Sequence, residues 1–120
     1  MTKILAVDDS ASMRQMVAFT LKSAGFDVTD ASDGVEALKI AQSNSFDVVI
    51  SDVNMPNMDG ITLCKELRGL PSFKFTPILM LTTESSAEKK QAGRSAGATG
   101  WIVKPFNPDQ LLATVNKVIG

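Results

Sequence analysis

The unbroken β-branched run Val48, Val49 and Ile50 constrains the fold of this chain more than any other feature. A strand with one wet face alternates apolar and polar residues. A run with no polar interruption must be covered on both faces, as in a parallel sheet with helices on either side. Ser51 and Asp52 follow the run directly, and Pro56, Asp59 and Gly60 then supply turn and helix-start chemistry. Asp52 therefore stands at the carboxyl end of a buried strand, where open α/β sheets gather their ligands.

The rest of the chain repeats this pattern of a short apolar run followed by a helical period. Ile4 to Val7 predicts a first strand that ends abruptly in Asp8 and Asp9. A helix from Ser12 to Ala24 places Met13, Met16, Val17, Thr20 and Leu21 at helical spacing, with Gly25 as its stop. Phe26 to Ala31 predicts a second strand, and Asp33-Gly34 opens a helix with Val35, Leu38 and Ala41 on one face. After the third strand a helix turns Leu63, Cys64 and Leu67 inward. Ile78 to Leu81 predicts strand four, capped by Thr82 and Thr83, with Ser85 or Ser86 as the next helix cap. Helix four, roughly 86–96, has only Ala87, Ala92 and Ala96 as apolar material and contains Gly93, so it is expected to be the least stable element. Ile102 and Val103 form strand five, followed by Lys104 and Pro105. Asn107 caps the last helix, with Pro108 at its first position and Leu111, Leu112, Val115, Val118 and Ile119 inward. Met13, Met16 and Met80 are expected in the core, and Met55 and Met58 in a loop, partly exposed.

Strands alternating with helices over short connections predict an α/β fold, a five-stranded doubly wound parallel sheet of flavodoxin-like strand order 2-1-3-4-5, in one domain spanning 1–120. At 44% hydrophobic residues the chain can build one core without staples. The single cysteine, Cys64, excludes an intrachain disulfide and reads as a small core residue. With no signal peptide, a cytoplasmic setting is expected. A net charge of −1 and the lack of an apolar run near the roughly 20 residues of a membrane span argue against nucleic-acid and membrane partners. The chain has no histidine, which excludes a Ser-His-Asp triad, a histidine-ligated zinc and a phosphohistidine carrier within it.

In the 2-1-3-4-5 order strands one and three are neighbours, so Asp8, Asp9 and Asp52 form one acidic cluster, with Thr82 and Lys104 ending strands four and five on the same edge. Singly, each has an ordinary reading as a turn aspartate, a strand threonine or a solvated lysine; their convergence favours a site. Close carboxylates repel unless a cation holds them ionised. An all-oxygen donor set suits magnesium, with manganese as the alternative, over zinc. Lys104 can clamp a transferring phosphoryl group opposite the metal, Thr82 can bond a third oxygen, and Asp52 is the best nucleophile, giving an aspartyl phosphate.

Val-Asp-Asp-Ser at 7–10, Ser-Asp-Val-Asn-Met-Pro-Asn-Met-Asp-Gly at 51–60, Leu-Thr at 81–82 and Val-Lys-Pro-Phe at 103–106 give the chain its resemblance to a known family. From Lys3 to Ile119 it resembles the receiver domain of two-component response regulators, and within them the stand-alone, CheY-like chemotaxis type. The resemblance implies that Asp52 is the phosphoacceptor, that Asp9 and Asp52 bind magnesium directly, that Asp8 assists through water and that Asn54 offers its backbone carbonyl. It implies phosphoryl contacts from Thr82 and Lys104, and a cis Lys104-Pro105 bond. It further implies a regulatory domain rather than an enzyme, which catalyses only its own phosphotransfer and dephosphorylation. The partners would be a histidine kinase of the CheA type and the flagellar motor switch, reached as a monomer through the face of helix four, strand five and helix five. A phosphate sink, a phosphorelay intermediate and a phosphorylation-independent adaptor are the alternatives. Three features depart from the familiar chemotaxis members. Trp101 replaces a smaller switch aromatic, Thr83 stands where a small residue is common, and Lys89, Lys90 and Arg94 make helix four basic. Trp101, Lys90 and Arg94 are therefore expected to shape the partner face.

Overall fold

Alternate residues of a strand point to opposite faces of its sheet, so five buried parallel strands need two apolar layers. The computed structural model describes residues 2–82, 87–104 and 106–119, the side chains of 82, 87 and 89 excepted. Strands β1 (Lys3–Val7), β2 (Asp27–Ala31), β3 (Val48–Ser51), β4 (Ile78–Thr82) and β5 (Gly100–Val103) pair in parallel in the order β2-β1-β3-β4-β5. This is the predicted topology. Helices α1 (Ala11–Ser23), α2 (Gly34–Ser43), α3 (Gly60–Arg68), α4 (Ala87–Ser95) and α5 (Pro108–Ile119) alternate with them. Leu5, Val7, Val49, Ile78 and Met80 form one layer with Ala37, Ala41, Leu63 and Leu67 of α2 and α3. Ile4, Ala6, Val48, Ile50, Leu79, Leu81 and Ile102 form the other, with Val17 and Leu21 of α1 and Leu111 and Val115 of α5.

The helix starts are set by short polar side chains. Ser10 accepts from the Met13 N–H, Asp33 from Glu36 and Asp59 from Thr62, at 3.3, 2.9 and 2.7 Å. Glu36 reaches back past the cap and accepts from the Ser32 N–H at 2.7 Å. Asn107 caps α5 as predicted, its side chain accepting from Asp109 at 2.8 Å.

Three apolar side chains assigned inward by periodicity face solvent instead. Met16 is 55% exposed, Val35 41% and Ile119 36%. Val17 and Leu21 fill the core side of α1, and Met16 lies one residue round the helix, in a groove with Phe19 of α1 and Phe106, Pro108 and Leu112 at the start of α5. On α2 the small Ala37, with Gly34, takes the buried position, because this helix lies close against its neighbours. Ile119 ends the last helix, past its final buried position at Val115. Met55 and Met58 are partly buried, as expected.

Arg68, at the end of α3, organises the end of the molecule opposite the acidic cluster. Its guanidinium donates to the Gly97 carbonyl at 2.7 Å, to Phe73 at 2.8 Å and to Thr76 at 2.6 Å. It thereby joins α3 to the approach to β4 and to the turn after α4. Gly97 has φ +103, which favours glycine, and a Cβ there would crowd the Arg68 side chain at 3.0 Å. Removing the fork leaves part-buried carbonyls without donors. Arg68→Met is expected to lower the unfolding free energy by about 2–3 kcal/mol, against under about 0.5 kcal/mol for the exposed Lys65→Met, both read by denaturant titration.

Candidate functional site

The sheet's own hydrogen bonds place the carboxylates. Asp8 donates its N–H to the Ala31 carbonyl at 3.2 Å and Asp52 donates to Val7 at 2.9 Å, so each is held by the neighbouring strand one residue beyond its own. The loop after Asp52 is fixed just as tightly. A Cβ on Gly60 would collide with the Asp52 carbonyl oxygen, so glycine alone lets the first turn of α3 press against it. Gly60 N–H in turn donates to the Val53 carbonyl at 2.8 Å. Asn57 adopts a left-handed φ of 69° and its amide donates to Asp33 at 2.9 Å, tying this loop to the start of α2. Gly34 admits the Met58 backbone at the same junction.

Carboxylate oxygens of Asp8, Asp9 and Asp52 all lie within 4.8 Å of one another. Asp8 and Asp52 are buried, 4% and 8% exposed, whereas Asp9 is open to solvent. Lys104 Nζ stands between the buried pair, 2.8 Å from Asp8 Oδ2 and 3.5 Å from Asp52 Oδ2. The sequence placed Lys104 on the same edge as the acids, as a phosphoryl clamp opposite a metal; the structure sets it against both buried carboxylates, with the shorter bond to Asp8. Asp8 Oδ1 accepts from the Ser10 N–H at 2.9 Å and Asp52 Oδ1 from the Val53 N–H at 2.8 Å. Burial pushes the Asp52 carboxyl above its ordinary range. Lys104 opposes that rise, and the charges of Asp8 and Asp9 add to it. One ammonium thus faces three carboxylates, and this oxygen-only cluster with excess negative charge fits a hard divalent cation.

Asn54 lies exposed two residues beyond Asp52 in the same loop, and Thr82 ends β4 in register with Val103. The Thr82 hydroxyl, Thr83, the Ser85 or Ser86 cap, the Lys89 side chain and the Lys104-Pro105 bond lie outside the described residues. Lys90, Arg94 and Trp101 are gathered apart from the carboxylates, around one cleft between α4 and β5. Sequence reasoning missed Arg14. Its guanidinium donates to the Asp8 carbonyl at 2.8 Å and pairs with Asp30 at 3.2 Å, bracing the backbone of the acidic turn from α1. Nothing in the local pattern separates Arg14 from the solvated Lys22 of the same helix.

A doubly wound sheet presenting a buried carboxylate cluster against one lysine defines a class of signalling domains rather than of cofactor carriers. Residues 4–116 match the response regulator receiver domain, and the chain belongs to that family. It is similar to the chemotaxis protein CheY-3 of Vibrio cholerae, 41% identical over 117 residues covering 97% of this chain and 90% of that protein. Among solved structures, the chemotaxis protein CheY4 of Vibrio cholerae is 61% identical with a TM-score of 0.95, over 98% of each chain. The receiver domain of the sensor histidine kinase PA1611 from Pseudomonas aeruginosa, solved with a magnesium ion coordinated in its active-site cleft, is 27% identical with a TM-score of 0.93, over 99% of this chain and 98% of that one. The chain is therefore a CheY-like receiver with a regulatory role, which implies a histidine kinase upstream and an output partner downstream. No helix among the described residues is long and apolar enough to cross a membrane.

The raised Asp52 carboxyl has a measurable consequence. Native Asp52 holds its proton to higher pH than an unfolded carboxylate, so its contribution makes stability fall as pH rises from the ordinary carboxylate range through the folded pKa. Asp52→Asn removes one like charge and leaves the Lys104 bond to Asp8. It is expected to stabilise the metal-free protein near neutral pH on the order of 1 kcal/mol, a Tm rise of about 4 °C, with the difference closing toward acid pH. Thermal melts across that range, without divalent cation, check it.

Proposed function

We propose that this receiver is a phosphorylation-activated switch that takes a phosphoryl group from a histidine kinase of the CheA type onto Asp52 and relays a chemotaxis signal to the flagellar motor switch. The observation that carries the reading is the buried Asp52 carboxylate facing Lys104 beside two further acids. Asp52 Oδ1 is engaged by the Val53 N–H, and Oδ2 points toward Lys104. Oδ2 is the attacking oxygen. Its bond to phosphorus forms as the bond from phosphorus to the donor nitrogen breaks, and that nitrogen keeps the electron pair. Lys104 holds the transferred group by its charge, with the Thr82 hydroxyl on another oxygen.

Magnesium, or manganese, when bound supplies charge neutralisation at the acids and at the phosphoryl oxygens. Asp9 and Asp52 would hold it directly, Asp8 through water and Asn54 through its backbone carbonyl. The ion in the related Pseudomonas receiver, and the chemotaxis names of the Vibrio relatives, support this assignment. On this reading phosphotransfer and later hydrolysis run on the receiver's own residues together with the bound ion, so the domain regulates rather than turning over an external substrate. The reading takes 1–120 as one receiver acting as a cytoplasmic monomer.

Incubation with acetyl phosphate and magnesium is expected to add one phosphoryl group by intact mass, and Asp52→Asn to abolish it. An undiminished rate in that variant sinks the assignment. Calorimetry separates the acids: Asp9→Asn is expected to weaken magnesium binding at least about tenfold. Asp33→Asn should leave it unchanged, because the Asp33 carboxyl is engaged by the Glu36 N–H and the Asn57 amide, which lower its pKa.

A further inference from the structure

Arg14 touches the acidic turn without touching any of its carboxylates except through backbone. Its Nη1 donates to the Asp8 carbonyl at 2.8 Å in a part-buried bond, and its Nε pairs with Asp30 Oδ2 at 3.2 Å. Both side chains reach solvent, so the ion pair by itself contributes little to stability. Its position matters more. Asp30 lies on β2 in register with Ala6 of β1, and the next residue, Ala31, accepts the Asp8 N–H. Both polar groups of the Asp8 backbone are thus tied to β2, the N–H directly and the carbonyl through Arg14. The peptide joining Asp8 to Asp9 is planar, so fixing the Asp8 carbonyl fixes the direction in which the Asp9 backbone leaves the turn. Asp9 depends on that. Asp8 and Asp52 each have an N–H donor and Lys104 against their carboxylates, whereas no hydrogen bond or ion pair among the described residues reaches the exposed Asp9 carboxylate. Its place within 4.8 Å of the other two acids is therefore set by the backbone.

We propose that Arg14 is a positioning residue for the metal site: by holding the Asp8 carbonyl it aims the Asp9 carboxylate at the divalent cation, while Asp30 offsets its charge. An unpaired guanidinium beside a cation site would oppose binding by Coulomb repulsion. Paired with Asp30, it braces the turn without that cost. The rigid guanidinium fork suits a bridge between two oxygens on different elements, which the point charge of a lysine does not replace. The proposal rests on the reading in which Asp9 holds the ion directly.

Calorimetric titration of magnesium into the whole, unphosphorylated protein tests this, because charge and position predict opposite signs. Removing a cation near three acids would, by charge alone, tighten the binding of a divalent ion. Arg14→Met is instead expected to weaken it about tenfold, the scale of contacts that orient metal ligands from behind. Arg14→Lys, which keeps the charge without the fork, should fall between that variant and the native protein. Lys22→Met, on the solvated side of the same helix, should bind as the native protein does. In the Asp9→Asn background Arg14→Met should cost less than about twofold more, since both changes act through one carboxylate. A merely structural role would lower the urea midpoint of the metal-free protein and leave magnesium affinity at its native value. Tighter or unchanged binding in Arg14→Met, or the full tenfold loss repeated in the Asp9→Asn background, overturns the positioning role while the metal assignment stands. Unchanged binding in Asp9→Asn by itself marks the failure of the metal assignment, and the positioning role falls with it.

Discussion

Two buried aspartates and the part-buried lysine between them, at the ends of three strands, impose the condition that the rest of this structure meets. Taking a charge out of water costs several kcal/mol per ion even after relaxation, and Lys104 can compensate only part of what Asp8, Asp52 and the nearby Asp9 bring. Such a cluster persists only where the backbone leaves it no escape. Here the N–H groups of Asp8 and Asp52 are locked into the adjacent strands, and further N–H groups hold one oxygen of each carboxylate. The surplus negative charge is thus held in place before any ligand arrives, ready for a cation and, through Lys104, for an anionic group beside it.

The close approach of α3 to the site follows from the same demand. Gly60 against the Asp52 carbonyl and Gly34 against Met58 let two helix starts converge on the loop, and Asn57 pins that loop to Asp33. At the opposite end of the sheet, Arg68 gathers carbonyls from the turn after α4 and from the approach to β4. The Cys64 thiol donates to the Ala96 carbonyl at 3.4 Å beside it. Burial pushes that thiol's pKa up, against a smaller opposing effect of Arg68, which suits a packing role rather than redox chemistry. Helix α4 is therefore tied down at its C-terminal end.

Between these ends lies the α4–β5 surface, where economy of side chain replaces bulk. Among the described side chains of α4 the buried one is Gly93, with Ala96 buried just past the helix end, so little apolar area there holds this helix to the sheet. Trp101 fills the space under Gly93 that larger helix residues would occupy. The exposed Lys90 and Arg94 of this helix present charge outward.

The amino-acid sequence by itself determined the sheet order, the helix caps at Asp33 and Asn107, and the convergence of Asp8, Asp9, Asp52 and Lys104 on one edge. These depend on local rules: an uninterrupted β-branched run must be buried on both sides, and residues just past parallel strands emerge at one end. Tertiary structure alone decided that Lys104 bonds Asp8 more closely than Asp52, that Arg14 and Arg68 brace distant backbone, and that Met16 and Val35 face solvent. A guanidinium's partners lie many residues away along the chain, and helical period gives an apolar stripe without saying which part of it the sheet will cover. The Gly93–Trp101 contact is of the same kind: each residue looks weak or oversized on its own helix or strand, and the fit exists only where the two elements meet.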